Sequence, residues 1–205
     1  MQWHDVQQNT DEWQALRCGV VTASNFGLIM ANDGKAFGEP AKRYALQIAI
    51  ERLNGKKAAV GFSNEHTERG HEQEPLARIA YEDEFFQQVT NGGFFDCGLY
   101  GDSPDGLVGD DGLIEIKSVI APVHYATLLR GSFDPAYRWQ LVGHIDCSER
   151  DWVDFCSYCS DFVEGKRLLA HRLYRKDCAG ELAALRARRE QFLEYVASVQ
   201  ERLSA

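Results

Sequence analysis

The chain has 205 residues, of which 44% are hydrophobic, and a formal net charge of −9 at pH 7. This length supports one full hydrophobic core, so we expect a single domain over residues 1–205. The acidic charge argues against a protein that coats nucleic acid through a global basic surface, but not against an enzyme with a local basic groove. The sequence shows no signal peptide and no apolar run long enough to span a membrane, so we expect a cytoplasmic protein.

Hydrophobic periodicity and capping residues predict helices, then strands, then helices. Asn9 and Glu12 predict a capping box at the start of the first helix, and Thr22 predicts the cap of the second. Asn54-Gly55 predicts the end of the third helix. The predicted helices are 9–16, 22–30, 41–53, 64–84 (disturbed at Gly70 and Pro75), 122–130, 135–144 and 180–203, with strands over 89–117 and 152–174. This order indicates an α+β or mixed α/β fold.

The most informative motif is Ser103-Pro104-Asp105-Gly106 followed by Glu115-Ile116-Lys117. Asp111-Gly112, between two short apolar runs, predicts a β-hairpin that brings Asp105 near Glu115. Because side chains alternate along a strand, Glu115 and Lys117 point to one face and Ile116 points to the other. Two carboxylates at that separation suit Mg²⁺ or Mn²⁺, and Lys117 is placed to orient or deprotonate a water. The motif indicates metal-dependent phosphodiester hydrolysis; the alternative is a surface hairpin with a solvated Glu–Lys face.

A second group of acids and a histidine lies in Gly70-His71-Glu72-Gln73-Glu74-Pro75, on the fourth predicted helix. Ala77 and Tyr81 share the helix face of Glu74, which indicates that this face is covered. A carboxylate on a covered face needs a partner, and a metal ion is one candidate. The alternative is a solvent-facing helix surface, which is what we expect for His71.

Arg17, followed by Thr22 and Ser24 at a predicted helix start, forms a candidate phosphate cradle, with ordinary capping as the alternative. Trp139 is interpreted as a core residue, and Gln140 as a polar surface residue beside it. Three arginines of the last helix are interpreted as a solvated face, with nucleic acid or a partner subunit as alternatives: Arg186, Arg188 and Arg189.

The pair Cys156 and Cys159 suggests a zinc or redox motif, but it lies in a segment that reads as a strand. Positions i and i+3 of a strand point to opposite faces, so the two thiols would diverge. No second Cys/His pair lies nearby to complete a zinc site. We therefore expect reduced, partly buried cysteines.

Taken together, these motifs resemble those of the YqaJ-type viral recombinases, the phage lambda-type alkaline exonucleases within the PD-(D/E)xK nuclease superfamily. The resemblance runs from about Trp13 to Ile145. It is carried by five motifs that occur in the family order: Arg17-x4-Thr22-Ala23-Ser24, Gly70-x3-Glu74-Pro75-x-Ala77-x3-Tyr81, Ser103-Pro104-Asp105-Gly106, Glu115-Ile116-Lys117 and Trp139-Gln140.

The resemblance implies a restriction-endonuclease-like core with a central mixed β-sheet flanked by helices. It implies an enzyme that degrades linear double-stranded DNA from 5′ ends, leaving 3′ single strands. It also implies a homotrimeric ring that works beside a single-strand annealing protein. The lambda-type enzyme has a second glutamine two positions after the first; here that position is Val142.

The resemblance also implies a role for each matched residue. Mg²⁺ would be held by Asp105, Glu115 and the carbonyl of Ile116, and Glu74 would hold a second metal or a coordinated water. Lys117 would activate the attacking water, and Gln140 would help to position it. The 5′-terminal phosphate would be bound by Arg17, Ser24 and Ser103.

Two other functions compete with this interpretation. An endonuclease could use the same core, although a pocket for a terminal phosphate has no use in an enzyme that cuts internally. A non-catalytic DNA-binding scaffold could keep the fold, although it has no chemical need for Glu74, Asp105, Glu115 and Lys117 together.

Overall fold

The structure, a computed structural model, describes residues 1–32, 35–58 and 65–205, and for residues 65–71 it describes the backbone alone. The expected exposure of the His71 side chain lies outside these described residues. The helices in the described ranges are α1 (Asp11–Leu16), α2 (Phe26–Met30), α3 (Glu39–Asn54), α4 (Glu65–Phe85), α5 (Ala121–Arg130), α6 (Arg138–Ser148) and α7 (Ala179–Ser204).

The strands form two sheets. The first sheet has the order β1 (Gln2–His4), β4 (Phe94–Asp96), β5 (Tyr100–Asp102) and β2 (Val21–Thr22). The second has the order β3 (Val89–Asn91), β6 (Gly106–Val108), β7 (Gly112–Ser118), β8 (Trp152–Tyr158) and β9 (Leu168–Tyr174). Both sheets are mixed, because β2 runs parallel to β5 and β7 runs parallel to β8.

Helices cover both faces of the second sheet. Ile114 and Ile116 of β7 pack in one apolar cluster with Ala77 and Tyr81 of α4. On the opposite face, the larger cluster joins Leu113 of the same strand to apolar residues of α2, α3, α6 and α7. The layers are therefore helix, sheet, helix, which confirms the predicted mixed sheet flanked by helices and the predicted alternation along β7.

Helix boundaries depend on local capping. Thr10, and not Asn9, caps α1, since its side chain accepts a hydrogen bond from the Trp13 amide. Asn9 instead has a φ of 65°. The helix α3 ends as predicted at Gly55, whose left-handed backbone (φ 61°) suits a residue without a Cβ. The helix α4 continues through Gly70 and Pro75, so the predicted disturbance does not divide it.

Of the three arginines of α7, Arg188 and Arg189 are buried and are not part of a solvated face, whereas Arg186 is exposed. Arg189 is 5% exposed and lies 2.5 Å from the Asp146 carboxylate of α6, and Arg186 pairs with the same carboxylate at 2.6 Å. Arg188 is also buried, and it donates to the carbonyl of Ile29. Buried charges need partners, and these partners fix α7 against α6 and α2.

All six cysteines are free thiols, as expected, and Cys156 and Cys159 are buried. Val142 is fully buried in the larger apolar cluster, where it does not reach the site described below. No helix in the described parts of the chain is long and apolar enough to cross a membrane.

Gly143 allows α6 to approach the chain that follows β2. A Cβ at this position would lie 2.6 Å from the Phe26 ring and 2.8 Å from the Ala23 side chain. We expect Gly143→Ala to destabilise the protein by about 1–3 kcal/mol through overpacking, measured by urea unfolding.

Gly180→Ala is the matched control, because a Cβ there meets no atom within 4 Å in the same kind of helical backbone. That variant should be neutral or slightly more stable, since alanine favours the helix by up to about 1 kcal/mol. Equal effects of the two substitutions would show that this close approach is not a constraint on the fold.

Candidate active site

The hairpin of β6 and β7 brings Asp105 to Glu115 and its neighbours, as predicted. The Asp105 amide donates to the Ile114 carbonyl at 3.1 Å, and the Ile116 amide donates to Asp105 Oδ2 at 2.6 Å. The turn differs in detail from the prediction, since Gly112 is already part of β7 and pairs with Val108. The backbone of the hairpin thus fixes the orientation of the Asp105 carboxylate.

Glu115 is the centre of the site and is only 2% exposed. Its Oε1 lies 2.5 Å from Lys117 Nζ and accepts a hydrogen bond from Gln140 Nε2 at 2.6 Å. Its Oε2 lies 2.9 Å from Nε2 of His144. Burial acts to raise the pKa of Glu115, but the charges of Lys117 and His144 prevail and lower it to about 2. The alternative of a solvated Glu–Lys face is therefore wrong.

His144 was not anticipated from the sequence. It follows Gln140 by one helical turn on α6, and that spacing beside a buried carboxylate is the signal that could have identified it. Its Nδ1 lies 2.7 Å from Oδ2 of Asp102, which is also buried. Burial acts to lower the pKa of His144, but Asp102 and Glu115 raise it to about 10, so the imidazole is charged.

Lys117 is protonated in this arrangement. Burial acts to lower its pKa, but Glu115 and then Asp105 raise it above its ordinary value. Its ammonium also lies 5.4 Å from the centre of the Tyr137 ring. Lys117 can therefore donate a hydrogen bond or stabilise negative charge, whereas a role as base requires another cation to take up the charge of Glu115.

Asp105 and Glu74 are the other two carboxylic acids near Glu115. Burial, and then repulsion by Glu115, raise the pKa of Asp105 well above its ordinary value, and Glu74 adds to this repulsion. Arg78, which the sequence analysis missed, donates to the Asp105 carbonyl at 2.5 Å and lies 3.7 Å from Glu74 Oε1. Its position four residues after Glu74 on α4 is the available sequence signal.

The donor set can be compared with what a divalent cation needs. In the described part of the chain, no three His, Cys, Asp or Glu side chains form a ready-made metal cluster. Mg²⁺ keeps several waters and is held through one or two carboxylates. Burial and the nearby charges of Glu115 and Glu74 act to raise the pKa of Asp105, while the charge of Lys117 acts to lower it, and a cation beside these carboxylates would lower it further. The residues therefore fit a hydrated Mg²⁺ bound through few protein ligands.

The residues predicted to bind the terminal phosphate, Arg17, Ser24 and Ser103, form the second part of the candidate site and are called the anion pocket below. Thr22 of β2 pairs with Gly101 of β5 in the parallel arrangement, so Ser24 and Ser103 each lie two residues beyond that pair. Trp13 contacts both Arg17 and Ser103. Its Nε1 donates to Ser103 Oγ at 2.8 Å, and its ring centre lies 4.1 Å from the Arg17 guanidinium. Trp13 thus links Arg17 to Ser103, although these two residues are distant in the sequence.

The predicted helical cap does not contribute to this pocket as expected. Thr22 makes no capping hydrogen bond, and a short 3-10 turn over Ala23–Asn25 separates it from α2. Its hydroxyl instead lies 3.1 Å from Ser24 Oγ and accepts a bond from Asn25. Burial lowers the pKa of Arg17, with partial compensation from Tyr44 and Asp102. A bound anion would favour the charged form of the Arg17 guanidinium. Because Thr22 makes no capping hydrogen bond, the proposed donors to an anion are side chains and not the start of a helix.

The environment of Asp105 is expected to affect stability. Because burial, and then the charge of Glu115, hold the folded pKa of Asp105 above its unfolded value, its ionised form at pH 7 costs stability. We expect Asp105→Asn to raise the unfolding free energy in EDTA, and each kcal/mol gained would raise Tm by roughly 2–4 °C.

Asp154→Asn is the control for burial alone. Asp154 is more deeply buried than Asp105, but it is compensated by two bonds from Arg172 and one from Tyr81. Its substitution should lower Tm, since the partners lose a charged acceptor. Loss of stability in both variants would show that Asp105 is well compensated and would remove the argument for a cation at this position.

Comparisons with known proteins identify the family of the chain. A sequence profile of the YqaJ-like viral recombinase domain matches residues 12–151. An alkaline exonuclease from Laribacter hongkongensis, LHK-Exo, is 33% identical, with a TM-score of 0.85 over 95% of this chain and 96% of that chain. Its complex with dAMP gives 34% identity with the same TM-score and coverage.

A phage-related exonuclease from Haemophilus somnus 129PT shares the fold at 14% identity and a TM-score of 0.67, covering 90% of this chain and 94% of that chain. No match was found among curated proteins. The profile covers more than half of the chain and the motifs on which the resemblance rests. The chain belongs to the YqaJ-like viral recombinase family.

Proposed function

We propose that this protein is a Mg²⁺-dependent 5′-to-3′ exonuclease acting on linear double-stranded DNA. It digests from 5′-phosphorylated ends and leaves 3′ single strands for recombination by single-strand annealing. One observation carries the proposal. The anion pocket directly adjoins the carboxylate cluster, because Ser103 follows Asp102, and His144 lies between Asp102 and Glu115.

The carboxylates and one backbone group would hold the metal. Asp105, Glu115 and the carbonyl of Ile116 would bind Mg²⁺, for which Mn²⁺ is a substitute, and Glu74 would hold a second ion or a coordinated water. The metal supplies Lewis-acid activation of water and stabilisation of charge at phosphorus. This proposal agrees with the chemistry of the donor set and with the repulsion between these carboxylates.

The chain itself orients the reacting groups. Gln140 holds Oε1 of Glu115 through one amide hydrogen, and its side chain would also help to place the attacking water. Lys117, beside the same oxygen, would orient that water and stabilise the charge that develops on the phosphate. Lys117 would act as the base only if a second cation shared the charge of Glu115.

The anion pocket would set the polarity of digestion. Arg17 offers a planar, charged donor, and Ser24 and Ser103 offer hydroxyls, a combination that suits a terminal phosphate monoester. LHK-Exo, the related exonuclease, forms a complex with dAMP. A deoxynucleoside 5′-monophosphate is the product that stepwise cleavage from a 5′ end would release, so this complex supports the proposal.

The proposed partners follow the family. They are duplex DNA ends, a single-strand annealing protein and two further copies of this chain in a homotrimeric ring. One surface supports contact between copies. Leu46, Ile50 and Leu53 lie at helical spacing on α3 and are 43%, 36% and 46% exposed. An apolar stripe of this kind is typical of an interface.

The direct test uses linear duplex DNA with either a 5′ phosphate or a 5′ hydroxyl, together with covalently closed circular DNA. We expect Mg²⁺-dependent release of nucleotides from phosphorylated ends, slow attack on hydroxyl ends and intact circles. Opened circles would support the endonuclease instead. Absence of cleavage with both Mg²⁺ and Mn²⁺ would support the non-catalytic scaffold.

Lys117→Ala should abolish cleavage and leave end binding intact, because it removes the charge beside Glu115 and not the anion pocket. A loss of about 10²-fold or more in kcat is expected from removal of such a group, measured as single-turnover nucleotide release. Lys176→Ala is the control, since Lys176 also lies near a tyrosine ring but is exposed. Wild-type cleavage by Lys117→Ala would refute the assignment of the site.

Arg17→Ala should reduce the preference for phosphorylated ends more than it reduces the rate on hydroxyl ends. The lost charge-assisted hydrogen bonds are worth about 1.5–3 kcal/mol, or roughly 10–100-fold in the ratio of kcat/KM values. Arg202→Ala, which removes an exposed arginine of α7, should leave the ratio unchanged. An unaltered ratio in Arg17→Ala would place the terminal phosphate elsewhere.

A further inference from the structure

The line of contacts from Asp102 to Glu115 is closed to solvent. The side chains of Asp102, His144 and Glu115 are 2%, 1% and 3% exposed. The two imidazole nitrogens lie 2.7 Å from Asp102 and 2.9 Å from Glu115, so no water fits between the groups. A single ring therefore sets the distance between the two carboxylates.

Each end of this line belongs to a different part of the site. Asp102 is the last residue of β5, and the next residue, Ser103, lies in the anion pocket and is bonded to Trp13. Glu115 lies in β7, in the other sheet, beside Gln140 and Lys117. The two sheets are thus joined, through α6, at the point where the anion pocket and the carboxylate cluster adjoin.

Two other buried polar groups in the described part of the chain have ordinary structural contacts. The ion pairs of Asp146 join α6 to α7. His124, which is 0% exposed, lies 2.9 Å from Ser157 Oγ and 2.8 Å from the Lys166 carbonyl, and neither contact is with the anion pocket or Glu115. His144 differs from them because both of its ring nitrogens face acids that adjoin functional groups.

We propose that His144 is a positioning residue that holds the anion pocket and Glu115 as one rigid unit. The first phosphodiester bond is then presented to Glu115 in register only when the terminal phosphate is seated against Ser103. This inference rests on the proposed function, and it makes the 5′ phosphate a determinant of the catalytic rate as well as of binding. It depends on the two contacts of the ring and on their complete burial.

Two substitutions separate the two contacts. The amide of Asn in His144→Asn reaches about as far as Nδ1, so it keeps a donor for Asp102 and loses the contact with Glu115. The longer amide in His144→Gln reaches about as far as Nε2, so it keeps a donor for Glu115 and loses Asp102. Single-turnover kcat and KM are measured for each variant on 5′-phosphate and 5′-hydroxyl duplexes.

We expect a reduced preference for phosphorylated ends in both variants, with different effects on kcat. His144→Asn should lower kcat by about 10–100-fold, the usual effect of losing a partner that orients a metal-binding group. His144→Gln should keep more of kcat and lose most of the preference, by an effect on the order of tenfold. The pair His124→Asn and His124→Gln is the matched control and should leave both measurements unchanged.

A purely structural role predicts a different result. Both His144 variants would then lose kcat in proportion to their Tm, with the preference intact, and this outcome would overturn the proposal while the proposed function stands. The same defects in the His124 variants would also overturn it. A wild-type protein that cleaves both kinds of end equally would overturn the proposal together with the end recognition in the proposed function.

Asp102→Asn tests the same proposal if circular dichroism shows that either His144 variant fails to fold. It keeps an oxygen acceptor for the imidazole but loses the charge that anchors the ring. A reduced preference for phosphorylated ends with a folded protein supports the proposal, and a wild-type preference overturns it.

Discussion

The burial of an ionised carboxylate at Glu115 is the constraint on which the site depends. A charge removed from water must be compensated by nearby donors and cations, because its desolvation is otherwise too costly. Glu115 meets this requirement with Lys117 from its own strand and with Gln140 and His144 from α6. The close approach at Gly143 and the ion pairs of Asp146 then hold α6 in the position from which these donors reach β7.

The sequence predicted the parts of the site whose residues are close along the chain. The hairpin, its alternation and the proximity of Asp105 and Glu115 follow from turn chemistry and the period of a strand. The burial of Ala77 and Tyr81 follows from helical spacing. The family motifs added the residues that only a tertiary fold brings together, namely Arg17, Ser24, Ser103 and Gln140.

The rest required three-dimensional packing. His144 and Arg78 look like ordinary helix residues until the facing carboxylate is known, and Trp13 joins Arg17 to Ser103 through contacts that no local pattern contains. The buried Arg188 and Arg189 were interpreted as part of a solvated face because their partners, the Ile29 carbonyl and the Asp146 carboxylate, are 159 and 43 residues away in the sequence. Thr10 replaced Asn9 as the first cap because the two compete for the same helix end, and backbone geometry decides between them.

The central claim is that one metal-binding carboxylate cluster adjoins one pocket for a terminal phosphate. A crystal structure with Mn²⁺ and a short 5′-phosphorylated duplex, recorded at the manganese absorption edge, tests it most directly. The account predicts an anomalous peak between Asp105 and Glu115, with the terminal phosphate bound by Arg17, Ser24 and Ser103. Manganese bound away from these carboxylates, or the terminal phosphate bound away from Arg17, would contradict the account.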